Sequence, residues 1–143
     1  MKLVRFGAPG REKPGIIDQS GKIRDLSKIV PDIAGETLSP KGLAKIKKTD
    51  ISKLPAVKAG TRLGPCVGNT RHFIAIGLNY ADHAAETGAA IPKEPIIFQK
   101  APNCIVGPND DTMIPKGSTK LDYECEIAIV IGSRARYLSK KDA

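Results

Sequence analysis

Residues 122–132 read DYECEIAIVIG, and this stretch decides the fold expected for the chain. Five consecutive apolar residues, 127–131, are typical of a β-strand that is buried on both faces. Acidic residues lead into this run, among them Glu124 and Glu126. Residues two apart on a strand point to the same side, so both carboxylates would lie on one face. Burying two like charges together is costly, and one of them would be driven to take up a proton.

A divalent cation would remove that cost. Mg²⁺, Mn²⁺ and Ca²⁺ prefer hard oxygen ligands, and Glu124 and Glu126 supply two. The alternative is a strand that enters from solvent with its polar face exposed. The apolar run that follows weakens this alternative, because it indicates a central strand rather than an edge strand. We therefore expect Glu124 and Glu126 to be metal ligands.

His83 and Glu86 form a second candidate pair, in the sequence HAAE. Residues three apart on a helix lie on the same face, and a carboxylate beside an imidazole fixes its tautomer and raises its basicity. Such a pair suits a general base that takes a proton from water. The alternative is a chance pair on a surface helix, with Asp82 as the helix N-cap. The pair follows a predicted buried strand at 72–78, where loops often present catalytic groups, and this favours the catalytic role.

Lys100 ends another predicted strand, at 94–100. A cation at this position could hold a substrate carboxylate, or it could simply mark the exposed end of the strand. Gln99 alternates to the other side, so only one of the two would face a site.

Composition excludes several classes of protein. The chain has 143 residues, 41% hydrophobic and 4% aromatic with no Trp, so we expect an aliphatic core. The net charge is +8, but no aromatic residues are interleaved with the lysines, so we expect no nucleic-acid partner. The three cysteines lack C-x-x-C spacing, which argues against a zinc site. No run approaches transmembrane length, and we expect no membrane partner and a cytoplasmic location.

Residues 1–70 are predicted to form a small β-rich domain with a connector. The pattern favours a strand at 2–6, a hairpin at 15–26 and a helix at 38–48. Ser39 would be the N-cap of that helix, with Pro40 at its first position.

Residues 71–143 are predicted to form the first part of a second domain. Besides the strands already named, a short helix closed by Gly88 is expected at 79–88. Ser139 and Asp142 resemble the start of a helix with no apolar face after it. We therefore expect this domain to be incomplete.

Three segments together resemble the fumarylacetoacetate hydrolase family. They are IGLNYADHAAETG (76–88), PIIFQKAPNCIVGPNDD (95–111) and KLDYECEIAIVIGSRARYLSKKDA (120–143). The resemblance covers roughly residues 72–143, with a looser likeness of the N-terminal part to the small leading domain of many bacterial members. It implies a mixed β-rich (α+β) fold: a small N-terminal β-rich domain and then the first part of a rolled mixed β-sheet. Family members are commonly dimers, so a homodimer is expected.

The resemblance also implies a site. Glu124 and Glu126 match two ligands of a Mg²⁺ or Mn²⁺ ion, with Ca²⁺ as a substitute, and the third ligand, an Asp, is expected beyond residue 143. His83 and Glu86 match the pair that activates water, on a helix that acts as a lid in several relatives. Lys100 and Tyr80 are assigned to substrate binding. A downstream lysine used by many members would also lie beyond this chain, which therefore resembles an N-terminal half.

The implied activity is hydrolysis of a C–C bond in a 2-oxo acid such as an acylpyruvate or fumarylpyruvate. Alternatives within the family are ureidoglycolate lyase, hydroxymuconate or hydroxyheptadienedioate isomerase, oxopentenoate hydratase and oxaloacetate decarboxylase. A non-catalytic fragment or binding module is the alternative from a different class.

Overall fold

The computed structural model describes all of residues 1–143, which form two compact units. The first unit comprises Met1–Gly68 and Gly107–Ala143, and the second comprises Asn69–Val106. Compactness alone does not define a folding domain, so the predicted domains 1–70 and 71–143 stay a prediction. The architecture is mixed α/β, with two open antiparallel sheets of three and two strands.

The three-stranded sheet of the first unit has the order β1–β2–β3, all antiparallel. The strands are β1 (Lys2–Phe6), β2 (Lys13–Ile17) and β3 (Ile23–Asp25). Both the predicted strand at 2–6 and the predicted hairpin are confirmed. They were visible in the sequence because alternating apolar residues and a tight turn are local signals.

Asp18 organises the turn of this hairpin. Its Oδ1 accepts hydrogen bonds from the backbone N–H groups of Ser20 (2.9 Å) and Lys22 (3.0 Å). The Ser20 hydroxyl donates to the same oxygen, and Arg24 Nε donates to Oδ2 at 2.7 Å. The hydrogen bonds from Ser20 and Arg24 favour the charged carboxylate, so the pKa of Asp18 lies well below its usual value. Gly21 completes the turn at φ +81°, a conformation that glycine adopts without strain.

Helix α1 (Pro40–Lys47) packs against the sheet through Ile46, which is 1% exposed. Ser39 is its N-cap as predicted, since its hydroxyl accepts the Gly42 N–H at 3.1 Å, and Pro40 occupies the first turn. The main core cluster of the unit is aliphatic, as predicted, and consists of Ile16, Leu26, Val30, Ile33 and Ile46. Phe6 is also buried, outside this cluster.

The second unit contains two strands and one short helix. Strand β4 (Phe73–Gly77) pairs antiparallel with β5 (Ile96–Lys100), and α2 (Ala81–Glu86) lies between them in the sequence. Both predicted strands form, but the prediction that β4 is buried is wrong. Ile74 remains 60% exposed, because a sheet of two strands has no second layer to cover its faces in this unit.

The strand predicted at 127–131 does not form. Residues 111–138 contain no helix or strand, and Ile127 and Ile129 are 92% and 82% exposed. The physical reason is that a strand needs a neighbour to satisfy its backbone groups, and no other segment pairs with this one. At its end, Ser139 and Asp142 form the predicted capping contact, with the Asp142 N–H donating to the Ser139 hydroxyl at 3.2 Å. No helix of the structure is long and apolar enough to span a membrane.

Candidate active site

Helix α2 carries His83 and Glu86 and exposes both side chains. It is anchored by Ala84, which is 1% exposed. The two candidate residues are three apart on this helix, so they share a face, as the sequence predicted. Asp82 is not the N-cap: that position belongs to Tyr80, and the Asp82 carboxylate accepts the His83 N–H at 3.0 Å within the first turn.

The connections of α2 set its direction. Leu78 links β4 to the helix with φ +47°, a left-handed conformation that is uncommon for a residue with a side chain. Gly88 ends the helical segment at φ +66°, as predicted from the sequence. Thr87 closes the last turn by donating from its hydroxyl to the His83 carbonyl at 2.9 Å. The helix is therefore fixed at both ends by backbone turns.

A shallow cavity of about 300 Å³ lies beside the start of this loop. Apolar side chains, including Ile76, Leu78 and Ile91, form much of its wall. Polar side chains in the lining are those of Asn79, Lys93 and Glu94. A cavity with apolar walls and a few polar groups is the usual form of a small-molecule site. No local pattern marks this cavity, because its walls come from two separated stretches of the chain, residues 76–79 and 91–95.

Lys100 lies at the end of β5, as predicted, and is half-buried. Its ammonium group stands 6.0 Å from the centre of the Phe98 ring, at the limit of a cation–π contact. Gln99 lies on the opposite face and approaches His72, with its Nε2 3.5 Å from the His72 Nδ1. The side chains of Gln99 and Lys100 therefore lie on opposite faces of β5, as the alternation along a strand predicts.

Glu124 and Glu126 lie in the exposed segment without regular structure. The prediction that a strand places them on one buried face is therefore wrong for this structure, for the reason given for residues 127–131. Their carboxylates are the donor type that Mg²⁺ and Mn²⁺ prefer. No group of three or more His, Cys, Asp or Glu side chains is assembled in the structure. The chemistry of the donors fits a divalent ion, while the geometry shown here offers at most two of them.

Comparison with known proteins decides the family. The family described as fumarylacetoacetate (FAA) hydrolase C-terminal matches residues 72–143. The chain belongs to the fumarylacetoacetate hydrolase family. Members of this family generally depend on a divalent metal. The matched region contains the candidate pairs on α2 and in the exposed segment, so both sets of residues lie within the part of the chain that defines the family.

Curated relatives cover almost all of this fumarylacetoacetate hydrolase family chain. A protein of Burkholderia cenocepacia strain J2315 is 56% identical over 136 residues, which is 95% of this chain and 48% of that protein. One of Burkholderia multivorans strain ATCC 17616 is 56% identical over 133 residues, 93% of this chain and 47% of the relative. Both bear the name "Putative hydrolase". The chain spans about half the length of these relatives.

A cluster of charged side chains in the first unit was not predicted from the sequence. Glu12 lies between Arg5 and Arg62, and its side chain is only 6% exposed. Desolvation opposes its charged form, but the hydrogen bond from Arg62 and the nearby charge of Arg5 outweigh it, so the pKa of Glu12 lies below its usual value. The residues of this cluster are far apart in the sequence, and no local pattern marks them.

Proposed function

We propose that this member of the fumarylacetoacetate hydrolase family takes part in the metal-dependent hydrolysis of a C–C bond in a 2-oxo acid of the acylpyruvate type. The family match over residues 72–143 supports the proposal, because the matched sequence includes His83, Glu86, Glu124 and Glu126. The name of the Burkholderia relatives supports a hydrolase. A homodimer with the rolled family sheet, acting in the cytoplasm, is part of the same proposal.

His83 is the proposed general base. In this role its imidazole takes a proton from water, and the water oxygen forms a bond to the carbonyl carbon beside the bond that breaks. The C–C bond then breaks, its electron pair stays with the pyruvate carbon, and that carbon takes up a proton. Glu86, one helical turn away, orients the imidazole and stabilises its protonated form. The exposure of both side chains leaves them accessible to a substrate.

The remaining residues bind and orient. Glu124 and Glu126 are the proposed protein ligands of Mg²⁺ or Mn²⁺, with Ca²⁺ as a substitute. A bound ion would supply Lewis-acid polarisation of the 2-oxo group. Lys100 and Tyr80 are proposed to contact the substrate, Lys100 through its positive charge on a carboxylate. Tyr80 precedes α2 directly, so a substrate held by its hydroxyl would lie close to the helix that carries the base.

The test is a substrate screen of the full-length protein with Mn²⁺, using acylpyruvates, oxaloacetate and ureidoglycolate. His83→Ala should lower turnover of the preferred substrate by about 10²- to 10⁴-fold, the usual contribution of a general base. Mn²⁺ affinity, measured by titration calorimetry, should survive this change. The chain has two histidines, so His72→Ala is the matched control and should keep full activity.

Glu124→Gln should differ from His83→Ala, because it should lose Mn²⁺ affinity as well as turnover. Glu36→Gln, which changes a glutamate outside the proposed site, is its control. Near-normal turnover in His83→Ala would refute the proposed base. Unchanged Mn²⁺ binding in Glu124→Gln would refute the proposed ligand. Turnover of oxaloacetate or ureidoglycolate alone would replace the acylpyruvate substrate with one of the alternatives from the family.

A second candidate is a non-catalytic binding module. One observation favours it: the two glutamates stand in an exposed segment and no third ligand joins them. On this reading the full-length protein would bind no Mn²⁺ above background and would turn over none of the substrates screened. The same calorimetry and substrate screen therefore separate the two candidates.

A further inference from the structure

Arg62 is the centre of the charged cluster in the first unit. Its guanidinium makes a bidentate contact with Asp110: Nε donates to Oδ1 at 2.7 Å and Nη2 donates to Oδ2 at 2.5 Å. Its Nη1 donates to the Gly7 carbonyl and to Glu12 Oε1, both at 3.0 Å. A bidentate contact fixes the orientation of the two side chains as well as their distance, because the planar guanidinium matches the geometry of the carboxylate.

The backbone around Arg62 is fixed to the three-stranded sheet. The Gly7 N–H donates to the Arg62 carbonyl at 2.9 Å, and the Gly64 N–H donates to the Arg5 carbonyl at 2.9 Å. An isolated antiparallel bridge joins Phe6 to Leu63. The arginine therefore projects from a strand-like segment that extends the edge of β1.

Asp110 belongs to a turn that closes on itself. The Gly107 N–H donates to Asp110 Oδ2 at 2.7 Å, and the Asp110 N–H donates to the Gly107 carbonyl at 3.1 Å. Hydrogen bonds from Arg62 and from Gly107 hold the pKa of Asp110 below its usual value. The carboxylate thus joins the turn at 107–110 to the arginine.

The turn also packs directly on the backbone beside Arg62. A Cβ added at Gly107 would stand 2.2 Å from the Leu63 carbonyl oxygen and 3.1 Å from the Gly64 Cα. A Cβ at Gly64 would stand 2.5 Å from the Glu12 Cγ. Real Cβ atoms do not come that close to a carbonyl oxygen, so the two segments meet at a place where only glycine fits.

Moving the Arg62 side chain away from Glu12 and Asp110 would destabilise the folded state. Glu12 is almost fully buried and has Arg5 as its other charged neighbour, at 3.7 Å. Loss of Arg62 would leave Arg5 as the remaining cation beside Glu12 and would leave Asp110 without its arginine. A buried charge that loses its partner is destabilising, so Glu12 and Asp110 together fix the guanidinium from two sides.

We propose that Arg62 is a positioning residue: it holds the turn at 107–110 on the first sheet and so fixes the start of the segment that carries Glu124 and Glu126. This inference rests on the proposed function, in which those glutamates bind the metal. It extends that function to the N-terminal part of the chain, outside the region matched by the family. A substitution of Arg62 is then expected to change the affinity for the metal.

The experiment compares Arg62→Gln and Arg62→Lys with the wild type, using the full-length protein. Arg24→Gln is the matched control, because Arg24 also pairs with an aspartate in this unit, Asp18, and does not bind the turn at 107–110. The first readout is hydrogen exchange in peptides that cover residues 105–112. The second is Mn²⁺ affinity by titration calorimetry. Circular dichroism confirms that each variant is folded.

We expect Arg62→Gln to lose exchange protection at Gly107 and Asp110 and to weaken Mn²⁺ binding by about 2- to 30-fold, the usual range for coupling through a structural contact. Arg62→Lys keeps the charge but not the bidentate contact, so its effects should be smaller. Arg24→Gln should match the wild type in both readouts. If Arg62→Gln fails to fold, the inference is tested by comparing exchange protection and Mn²⁺ affinity between Arg62→Lys and Arg24→Gln.

The outcomes separate this inference from the proposed function. Unchanged protection in the Arg62 variants would overturn it, because the turn would then be held by other contacts. Lost protection with unchanged Mn²⁺ affinity would also overturn it, since Arg62 would then only stabilise the turn. A wild-type protein that binds no Mn²⁺ would refute the proposed function, and the positioning role with it. If the wild-type protein binds Mn²⁺, the Arg62 variants test only the positioning role.

Discussion

Leu26→Ala is the sharpest test of the first unit, to which Arg62 belongs. Leu26 is 0% exposed and lies in the aliphatic core with Ile16 and Ile46. Its backbone is fixed, since its N–H donates to the Pro14 carbonyl at 2.9 Å and its own carbonyl accepts the Val30 N–H at 3.0 Å. The surrounding structure therefore has little freedom to close around a smaller side chain.

The magnitude follows from the atoms removed. The change deletes three buried carbon atoms, worth about 2.4 kcal/mol at ~0.8 kcal/mol per methylene group. A cavity that stays open adds to this, so the free energy of unfolding should fall by about 3–4 kcal/mol. A domain of this size has a stability of roughly 5–15 kcal/mol, so the loss is easily measured.

The assay is urea unfolding followed by far-ultraviolet circular dichroism, because the chain has no Trp to report on the core. Leu121→Ala is the matched control: Leu121 is 58% exposed, and its truncation should change the free energy of unfolding by less than about 0.5 kcal/mol. Equal effects of the two substitutions, or a loss below about 1 kcal/mol in Leu26→Ala, would contradict the described core.

Three further predictions concern local contacts. Ser39→Ala removes the N-cap of α1 and should lower the free energy of unfolding by about 1 kcal/mol, measured by the same urea titration. The pKa values of Asp18, Glu12 and Asp110 are all lower in the folded state than in the unfolded state. These three carboxylates therefore stabilise the fold at pH values above their unfolded pKa values, near about 4. That stabilisation is lost as the pH falls through their folded pKa values. The melting temperature should therefore fall on acidification below about pH 4, and Asp18→Asn should make that fall smaller. All three cysteine side chains are exposed and none is in a disulfide, so a thiol reagent should modify three groups per chain without denaturant; fewer would contradict their exposure.

Local signals in the sequence were enough for the first sheet and for both helices. Ser39 and Pro40 mark the start of α1, and Gly88 marks the end of α2. Each of these residues acts through its own backbone or through a neighbour within a few positions. The placement of His83 and Glu86 on one helical face was predictable for the same reason.

Non-local contacts were not predictable. The apolar pattern at 127–131 describes a strand only where neighbouring strands are present, and pairing depends on residues distant in the sequence. The Arg62 cluster had no signal either, because Arg5, Glu12, Arg62 and Asp110 meet only after the chain has folded. The pattern around Glu124 and Glu126 predicts oxygen ligands for a divalent ion, and the geometry that would assemble them depends on such contacts.

The exposed run at 127–131 has a consequence for the behaviour of the protein at high concentration. Five uncharged residues with strong β propensity and no proline are the kind of window that stacks with copies of itself into fibrils. Glu124 and Glu126 lie just before this window, and Arg134 and Arg136 lie just after it. Charges at these positions would repel identical neighbours in a parallel stack, so we expect the two glutamates to disfavour such stacking.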